Sequence, residues 1–178
     1  MIDLSLHILD IAENSVTAGA NLIKITIIKD SLSNVLSIEI NDNGRGMSRE
    51  LLENAKDPFY TTRLTRKVGL GLPLLSQAAE EAQGVFDIKS GPEGTCVFVS
   101  FQLDHIDRKP LGDMAATISI LIASNPGASF LYTHKINENI YTLDTEEIKS
   151  ELEEIPINTP DVIIAIKNDI NDWLNIND

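Results

Sequence analysis

The first half of the chain combines helical and extended hydrophobic patterns. Residues 3–19 repeat apolar side chains at helical spacing, and Gly19 is a natural helix end. Two runs that alternate apolar and polar positions follow, "LIKITIIKD" and "VLSIEIND", and the polar stretch between them predicts a hairpin. Helices are predicted over residues 48–55 and 73–83, the second closed by Gly84.

A second hairpin is predicted from "VFDIKS" and "TCVFVSFQL", joined by the turn "GPEG". Together these patterns predict an α+β fold, a two-layer α/β sandwich. Its mixed, mostly antiparallel sheet is covered by helices on one face. We predict that residues 1–106 form this domain.

The remaining residues, 107–178, are predicted to form a small α/β C-terminal extension. Their pattern indicates helices over 112–124 and 145–154, a hairpin within "SFLYTHKINENIYTLD", and a last helix that begins at Thr159-Pro160. The helix over 145–154 carries many carboxylates, which suit either a solvated face or a docking surface for a partner. The pattern alone indicates no chemistry for this extension.

Charge and cysteine content narrow the classes of function. The net charge is −13 and no cluster of Lys and Arg is visible, so we expect neither nucleic acid nor a membrane as partner. Cys96 is the only cysteine, which excludes an intrachain disulfide and fits a reducing compartment. No signal peptide and no apolar run of about 18 residues is seen. We therefore expect a cytoplasmic protein.

A polar stripe runs along the first predicted helix. His7, Asp10, Asn14 and Thr17 are three, four and three residues apart, so they share one face. A solvated face is the simple interpretation. However, Asp10 and Asn14 also present a carboxylate and an amide oxygen side by side, which suit Mg²⁺ or a bound water.

The segment "NDNGRGM" follows a predicted strand. Asp42 at the strand end can accept a hydrogen bond from an exocyclic amine, and the glycines allow a planar ring to approach the backbone. Taken alone, the segment fits an ordinary turn slightly better.

A third segment, "KVGLGLPLL", places Gly69 and Gly71 before a helix amino terminus, where free N–H groups favour phosphate. Two glycines before a helix are weak evidence by themselves. Arg63, Arg66 and Lys67 lie just upstream and make a local basic exception in an acidic chain.

The order of these segments resembles the GHKL ATPase family. A polar helix with Asn14 is followed by "DNGRGM", "DPFYTTR", "GLGL" and "GTCVFVSFQL", so the likeness covers roughly residues 3–103. The family comprises histidine kinases, anti-sigma serine kinases, mismatch-repair and type II topoisomerase ATPases, and heat-shock chaperones. The resemblance implies that ATP and Mg²⁺ are the ligands.

The resemblance also implies a role for individual positions. Asn14 would be the metal ligand, Asp42 would bind the adenine amine, and Thr95 would help to hold adenine. The segment 57–68 would form a lid, with the "GLGL" glycines on its phosphate side. The implied nucleotide-binding residues are Asn14, Asp42, Gly44, Gly46, Met47, Phe59, Thr61, Thr62, Arg63, Lys67, Gly69, Leu70, Gly71, Leu72 and Thr95.

Asp10 is the candidate catalytic residue. In the hydrolysing branches a Glu four residues before the Asn activates water, and here that position is Asp10, one methylene shorter. "DPFYTTR" and "VGLGLPLL" look like histidine kinases, whereas "ENSVTAGANLIKITI" looks like the mismatch-repair ATPases. The branch is therefore not decided by the motifs.

The expected function is that of a protein kinase acting in trans on an unidentified protein partner, with a homodimer as one expected assembly. Thirteen residues precede Asn14, so we expect no upstream phosphoacceptor helix. Arg63, Arg66 or Lys67 would neutralise charge that develops on the phosphates. A slow ATPase switch and a nucleotide-dependent binding module without turnover remain the alternatives.

Overall fold

The structure, a computed structural model, describes residues 3–56 and 71–178. Within these ranges the strands are β1 (Leu22–Asp30), β2 (Val35–Asp42), β3 (Val85–Gly91), β4 (Gly94–Gln102), β5 (Ser129–Ile136) and β6 (Asn139–Asp144). The helices are α1 (Leu4–Thr17), α2 (Arg49–Lys56), α3 (Gly71–Glu81), α4 (Met114–Ser124), α5 (Thr145–Leu152) and α6 (Pro160–Asn177).

The described strands form one mixed sheet in the order β3-β4-β2-β1-β5-β6. Only β1 and β5 run parallel, and each other neighbouring pair is antiparallel. The register pairs Asp42 at the end of β2 with Thr95 at the start of β4. Two residues far apart in sequence therefore meet at one end of the sheet.

Helices cover one face of the sheet. Along β1, Ile23, Ile25 and Ile27 are buried, while Lys24 and Thr26 between them are not. The same alternation holds along the other three central strands, as expected when one face is covered and the other meets water. Helix α1 packs against both α3 and α4, and α4 packs against α6. The predicted two-layer α+β sandwich is confirmed.

The predicted C-terminal extension continues the same sheet. Strand β5 pairs with β1 over eight positions, and the buried side chains of both parts belong to one hydrophobic cluster. The helix and strand types predicted for this part match α4, β5, β6, α5 and α6. The boundary between residues 106 and 107 therefore does not separate two sheets, and the division of the chain into a domain and an extension stays a prediction.

The third helix differs from its predicted limits. Helix α3 begins at Gly71, two residues before Pro73. Proline is tolerated there because the first N–H groups of a helix have no partner within the helix. At the carboxyl end, α3 stops at Glu81, before the predicted end at residue 83. Gln83, with a φ of 53°, adopts the left-handed conformation there. Gly84 is needed for a different reason, since a Cβ there would lie 1.7 Å from the carbonyl oxygen of Ser100.

No helix in the described ranges is long and apolar enough to span a bilayer. The cytoplasmic location stays a prediction.

Candidate nucleotide site

A pocket of about 190 Å³ opens where α1 meets the ends of β2 and β4. Six of the residues predicted from the sequence line it: Asn14, Asp42, Gly46, Met47, Leu72 and Thr95. The apolar walls include Ile11, Leu51 and Val97. Predicted residues from α1, from two strands and from α3 thus meet at one cavity. Its mixture of apolar walls and a few fixed polar groups is typical of a site for a small ligand.

Neutral donors hold the Asp42 carboxylate at the pocket. Its Oδ1 accepts hydrogen bonds from the backbone N–H groups of Gly44, at 2.9 Å, and of Thr95, at 3.2 Å. Its Oδ2 accepts one from the Ser15 hydroxyl at 2.6 Å. Each carboxylate oxygen can accept two hydrogen bonds, so Oδ2 keeps acceptor capacity for a ligand. A ligand that donates from an amine satisfies this requirement.

A second hydrogen-bond network fixes Thr95. The Thr95 and Ser90 hydroxyls are 2.7 Å apart, and the Met47 N–H donates to Ser90 Oγ at 2.8 Å. This network ties the segment after β2 to the β3–β4 hairpin. It therefore holds both Met47 and Thr95 in position at the pocket.

Gly46 allows this close packing of backbone on backbone. Its φ is 69°, and a Cβ at this position would lie 1.9 Å from the carbonyl oxygen of Gly91. No other residue type fits both the conformation and the space. The glycine in "NDNGRGM" is therefore explained by the approach of two segments that form the pocket.

Asp10 lies beside the pocket, against the first residue of α3. The Asn14 side-chain amide donates to Asp10 Oδ2 at 3.4 Å, and a Cβ on Gly71 would lie 2.0 Å from the same oxygen. Burial raises the pKa of Asp10, and the hydrogen bond from Asn14 opposes this shift. A carboxyl group with a raised pKa is suited to accept a proton.

The polar stripe on α1 is not uniformly solvated. Asn14 and Thr17 are exposed and Asp10 is half-buried, but His7 is fully buried. His7 Nδ1 lies 3.4 Å from the carbonyl oxygen of Gly71, and burial lowers the pKa of the imidazole. A solvated face therefore explains one end of the stripe but not the other.

The predicted site residues fall into three groups. Beyond the six that line the pocket, Gly44 supports Asp42 through its N–H, while Asp10 and Gly71 contact each other at its border. A further group lies outside the described residues, and its roles stay predictions: Phe59, Thr61, Thr62, Arg63, Arg66, Lys67, Gly69 and Leu70.

Sequence reasoning missed Ser15 and Ser90. Ser15 is a polar residue on the apolar face of α1, four positions after Ile11, and that position was the available signal in the sequence. Ser90 carried no signal, because its contact with Thr95 depends on the hairpin register. Arg45 and Thr17 also line the pocket without having been predicted.

Among the described residues, no three His, Cys, Asp or Glu side chains are grouped as a metal site would require. A cation at Asn14 would therefore need oxygen ligands other than a cluster of these side chains. The oxygens of a bound phosphate chain would meet that need.

Comparison with known proteins identifies the family. Residues 2–105 match the family described as histidine kinase-, DNA gyrase B- and HSP90-like ATPases. This match covers more than half of the chain and includes every residue at the pocket.

Several sensor proteins are similar over the same part of the chain. A Rickettsia prowazekii protein named as an NtrY-like sensor histidine kinase is 31% identical over 105 residues, which are 58% of this chain and 17% of the relative. The sensor protein DegM of a Bacillus species is 32% identical over 98 residues, 54% of this chain and 26% of DegM. The matched part of this chain thus spans about a sixth to a quarter of the length of these relatives.

Solved structures share the fold. The ATPase domain of Aquifex aeolicus MutL, which was solved in complex with ADP, superposes with a TM-score of 0.51 at 18% identity. The likeness covers 84% of this chain and 68% of that one. The amino-terminal domain of a DNA repair protein gives a TM-score of 0.53 at 18% identity, over 81% of this chain and 53% of the other.

The fold, the pocket and the sequence match agree, and they support ATP binding. The chain belongs to the histidine kinase-, DNA gyrase B- and HSP90-like ATPase family.

Proposed function

We propose that this protein binds ATP with Mg²⁺ in the pocket at Asp42 and transfers the γ-phosphoryl group to a partner protein. The observation that carries the proposal is the Asp42 carboxylate. Three donors fix it, and its Oδ2 retains acceptor capacity in a pocket that also contains Asn14. The MutL ATPase domain with ADP supports a nucleotide as the ligand of this fold.

The adenine end of the site follows from Asp42. A fixed acceptor beside apolar walls suits a flat ring that carries an amine, and the 6-amino group of adenine is such a donor. Guanine has an oxygen at that position, so it would leave the acceptor unsatisfied and repel it. Loss of the hydrogen bond from the amine, together with this repulsion, would cost about 1–3 kcal/mol, which favours ATP over GTP.

The phosphate end would lie toward Asn14. The Asn14 amide nitrogen faces Asp10, so its oxygen remains available for a cation. Mg²⁺ bound there would take further ligands from phosphate oxygens and would neutralise part of their charge. Arg63, Arg66 and Lys67 are the predicted cationic side chains that would assist.

The histidines of this chain favour an acceptor on another molecule. Its three histidines all lie in the described ranges, and two of them, His7 and His134, are buried. The third, His105, follows β4 at the end of the sheet opposite Thr95. About seven residues of strand separate those ends, which is on the order of 23 Å. A histidine acceptor therefore fits a partner better than this chain.

Asp10 supports a second candidate function, slow ATP hydrolysis. Its raised pKa and its contact with Asn14 fit a general base that activates water. The shorter Asp side chain reaches less far than the Glu of the hydrolysing branches. Hydrolysis is therefore the second candidate, after phosphoryl transfer to a partner.

Incubation with γ-labelled ATP, Mg²⁺ and an extract of the native cells distinguishes these functions. Label on a second protein, retained in alkali and lost in acid if the acceptor is histidine, is the expected result. Labelled inorganic phosphate without labelled protein would indicate the ATPase instead, and unchanged ATP would indicate a binding module. Asn14→Ala serves as the control that should abolish either reaction.

A further inference from the structure

A groove lies at the edge of the sheet farthest from the nucleotide pocket. It has a volume of about 390 Å³ and lies between the edge strand β6 and helices α5 and α6. Residues 141–144 of β6 line one side of it. The groove therefore runs beside a strand whose outer edge faces no other strand in the part of the chain that the structure describes.

The free edge of β6 presents backbone hydrogen-bonding groups. The two-residue turn between β5 and β6 is closed by the hydrogen-bonded pair Ile136 and Asn139. Residues along an antiparallel strand alternately point their N–H groups toward and away from the neighbouring strand, so those of Ile140 and Thr142 point away from β5. Natural edge strands are commonly protected by lysine, proline or a covering element. Strand β6 contains neither lysine nor proline, and Ile140 is 60% exposed.

The groove combines apolar surface with negative charge. Its aliphatic side chains come mainly from the two helices, and Ile148, Leu152 and Val162 are examples. Four carboxylates also line it, and no lysine or arginine is among the lining residues: Asp144, Glu147, Glu151 and Asp169.

The lysine within helix α5 is directed elsewhere. Lys149 Nζ donates to the carbonyl oxygen of Ala128 at 2.8 Å and lies 3.6 Å from Glu146 Oε1. Within the described residues, Glu147 and Glu151 form no ion pair. The negative charge of the groove is therefore available to a basic ligand.

We propose that this groove binds an extended basic segment of a partner protein, which adds as a strand to β6. The backbone of the segment would pair with the free edge. Its aliphatic side chains would pack on the helices, while its lysines or arginines would reach the carboxylates. A second copy of this chain is a poorer occupant, because it would bring the same four carboxylates together. The proposal does not depend on whether ATP is transferred, hydrolysed or only bound.

The test uses the full chain and a fluorescein-labelled peptide in which valine alternates with lysine or arginine. Fluorescence anisotropy should show saturable binding, and a peptide with glutamate in place of the basic residues should not bind. Glu147→Gln combined with Glu151→Gln should weaken binding about tenfold, as expected for loss of about 1.4 kcal/mol. Glu153→Gln combined with Glu154→Gln is the matched control. It removes the same charge just outside the groove and should leave binding within about twofold of the wild type.

Pairing with β6 is tested separately. Thr142→Pro removes an outward N–H at an edge position that tolerates proline, and it should abolish binding. Two N-methylated peptides test the same pairing, one methylated at the odd-numbered residues and one at the even-numbered residues. Only one of the two should lose binding, because alternate N–H groups of a strand point to opposite sides.

ATP binding by each variant reports that it is folded. Absence of saturable binding, equal effects of the two glutamate pairs, or indifference to both backbone changes would overturn the proposal. Self-association through this face, seen by sedimentation, would overturn it as well.

Discussion

The Asp42 carboxylate is positioned by its neighbours to accept a hydrogen bond from a neutral amine. Its partners are two backbone N–H groups and one hydroxyl, so the acceptor is held in place by neutral donors. Such a group can select a ligand by hydrogen bonding without requiring the ligand to be charged. Ligand selection by this single residue therefore depends on donors whose positions are set before the ligand arrives.

Ser15→Ala tests whether this fixation matters. The change removes the 2.6 Å hydrogen bond to Asp42 Oδ2 and should lower the free energy of unfolding by about 1–2 kcal/mol. ATP affinity should fall about three- to tenfold, because the carboxylate is less well oriented. Urea unfolding and calorimetric titration measure the two effects. Thr17→Ala is the control, since that hydroxyl lines the pocket but donates to Glu13 of its own helix. Unchanged affinity in Ser15→Ala would contradict this role.

Single residues also show the limit of prediction from the sequence. Asp42, Gly46 and Thr95 were predicted because their motifs resemble a known family. Ser15 and Ser90 were not, although each hydrogen-bonds one of the predicted groups. Ser15 reaches Asp42, 27 positions along the chain, and Ser90 reaches Thr95 through the register of the β3–β4 hairpin. The local pattern of polar and apolar residues identifies neither partner.

At the scale of elements, helices α1 and α3 meet at Asp10 and Gly71. The carbonyl oxygen of Gly71 faces His7, and its Cα faces the Asp10 carboxylate. A glycine is needed at this contact because any side chain would displace the candidate catalytic group. The first residue of "GLPLL" therefore joins two parts of the site.

A double-mutant cycle measures this contact. Gly71→Ala places a Cβ 2.0 Å from Asp10 Oδ2 and should destabilise the protein by about 1–3 kcal/mol. In an Asp10→Ala background the nearest remaining atom is the Asp10 Cβ, at 3.6 Å, which is an ordinary contact. The cost of Gly71→Ala should then largely disappear, giving a coupling of at least about 1 kcal/mol. Additive effects in urea unfolding would show that the two residues do not interact.

Element types were predicted well, whereas element partners were not. Alternation in "SFLYTHKI" and "NIYTLD" predicted a hairpin, which is observed as β5 and β6. The parallel pairing of β5 with β1 was not predicted. Periodicity shows which face of a strand is buried but does not identify the strand beside it, because that choice depends on how the connecting α4 packs.

On the scale of the whole molecule, the acidic chain buries two of its histidines in the neutral form. His134 is 1% exposed, and its Nδ1 lies 2.7 Å from the Tyr132 hydroxyl. Burial lowers the pKa of His134 to about 4. In the unfolded chain a histidine has a pKa near 6.5. The unfolded state therefore binds a proton at a higher pH than the folded state does.

The free energy of unfolding should consequently depend on pH. The stabilisation that His134 contributes to the free energy of unfolding is fully present above about pH 6.5 and is lost as the pH falls to about 4. The total loss should be up to about 3 kcal/mol. Urea unfolding across this range measures it. His134→Phe should flatten that part of the profile. Tyr132→Phe removes the same hydrogen bond but keeps the histidine, so it should retain the slope. Identical slopes in the wild type and His134→Phe would contradict the assignment.

Calorimetric titration with ATP and Mg²⁺ measures whether Asp42 selects ATP. Asp42→Asn replaces an acceptor with an amide whose N–H groups would face the adenine amine, so affinity should fall about tenfold to a hundredfold. Glu39→Gln removes the same charge from the same strand, on the face away from the pocket, and should bind ATP normally. GTP should bind the wild type weakly. Normal ATP affinity in a folded Asp42→Asn variant would show that Asp42 does not bind the adenine amine.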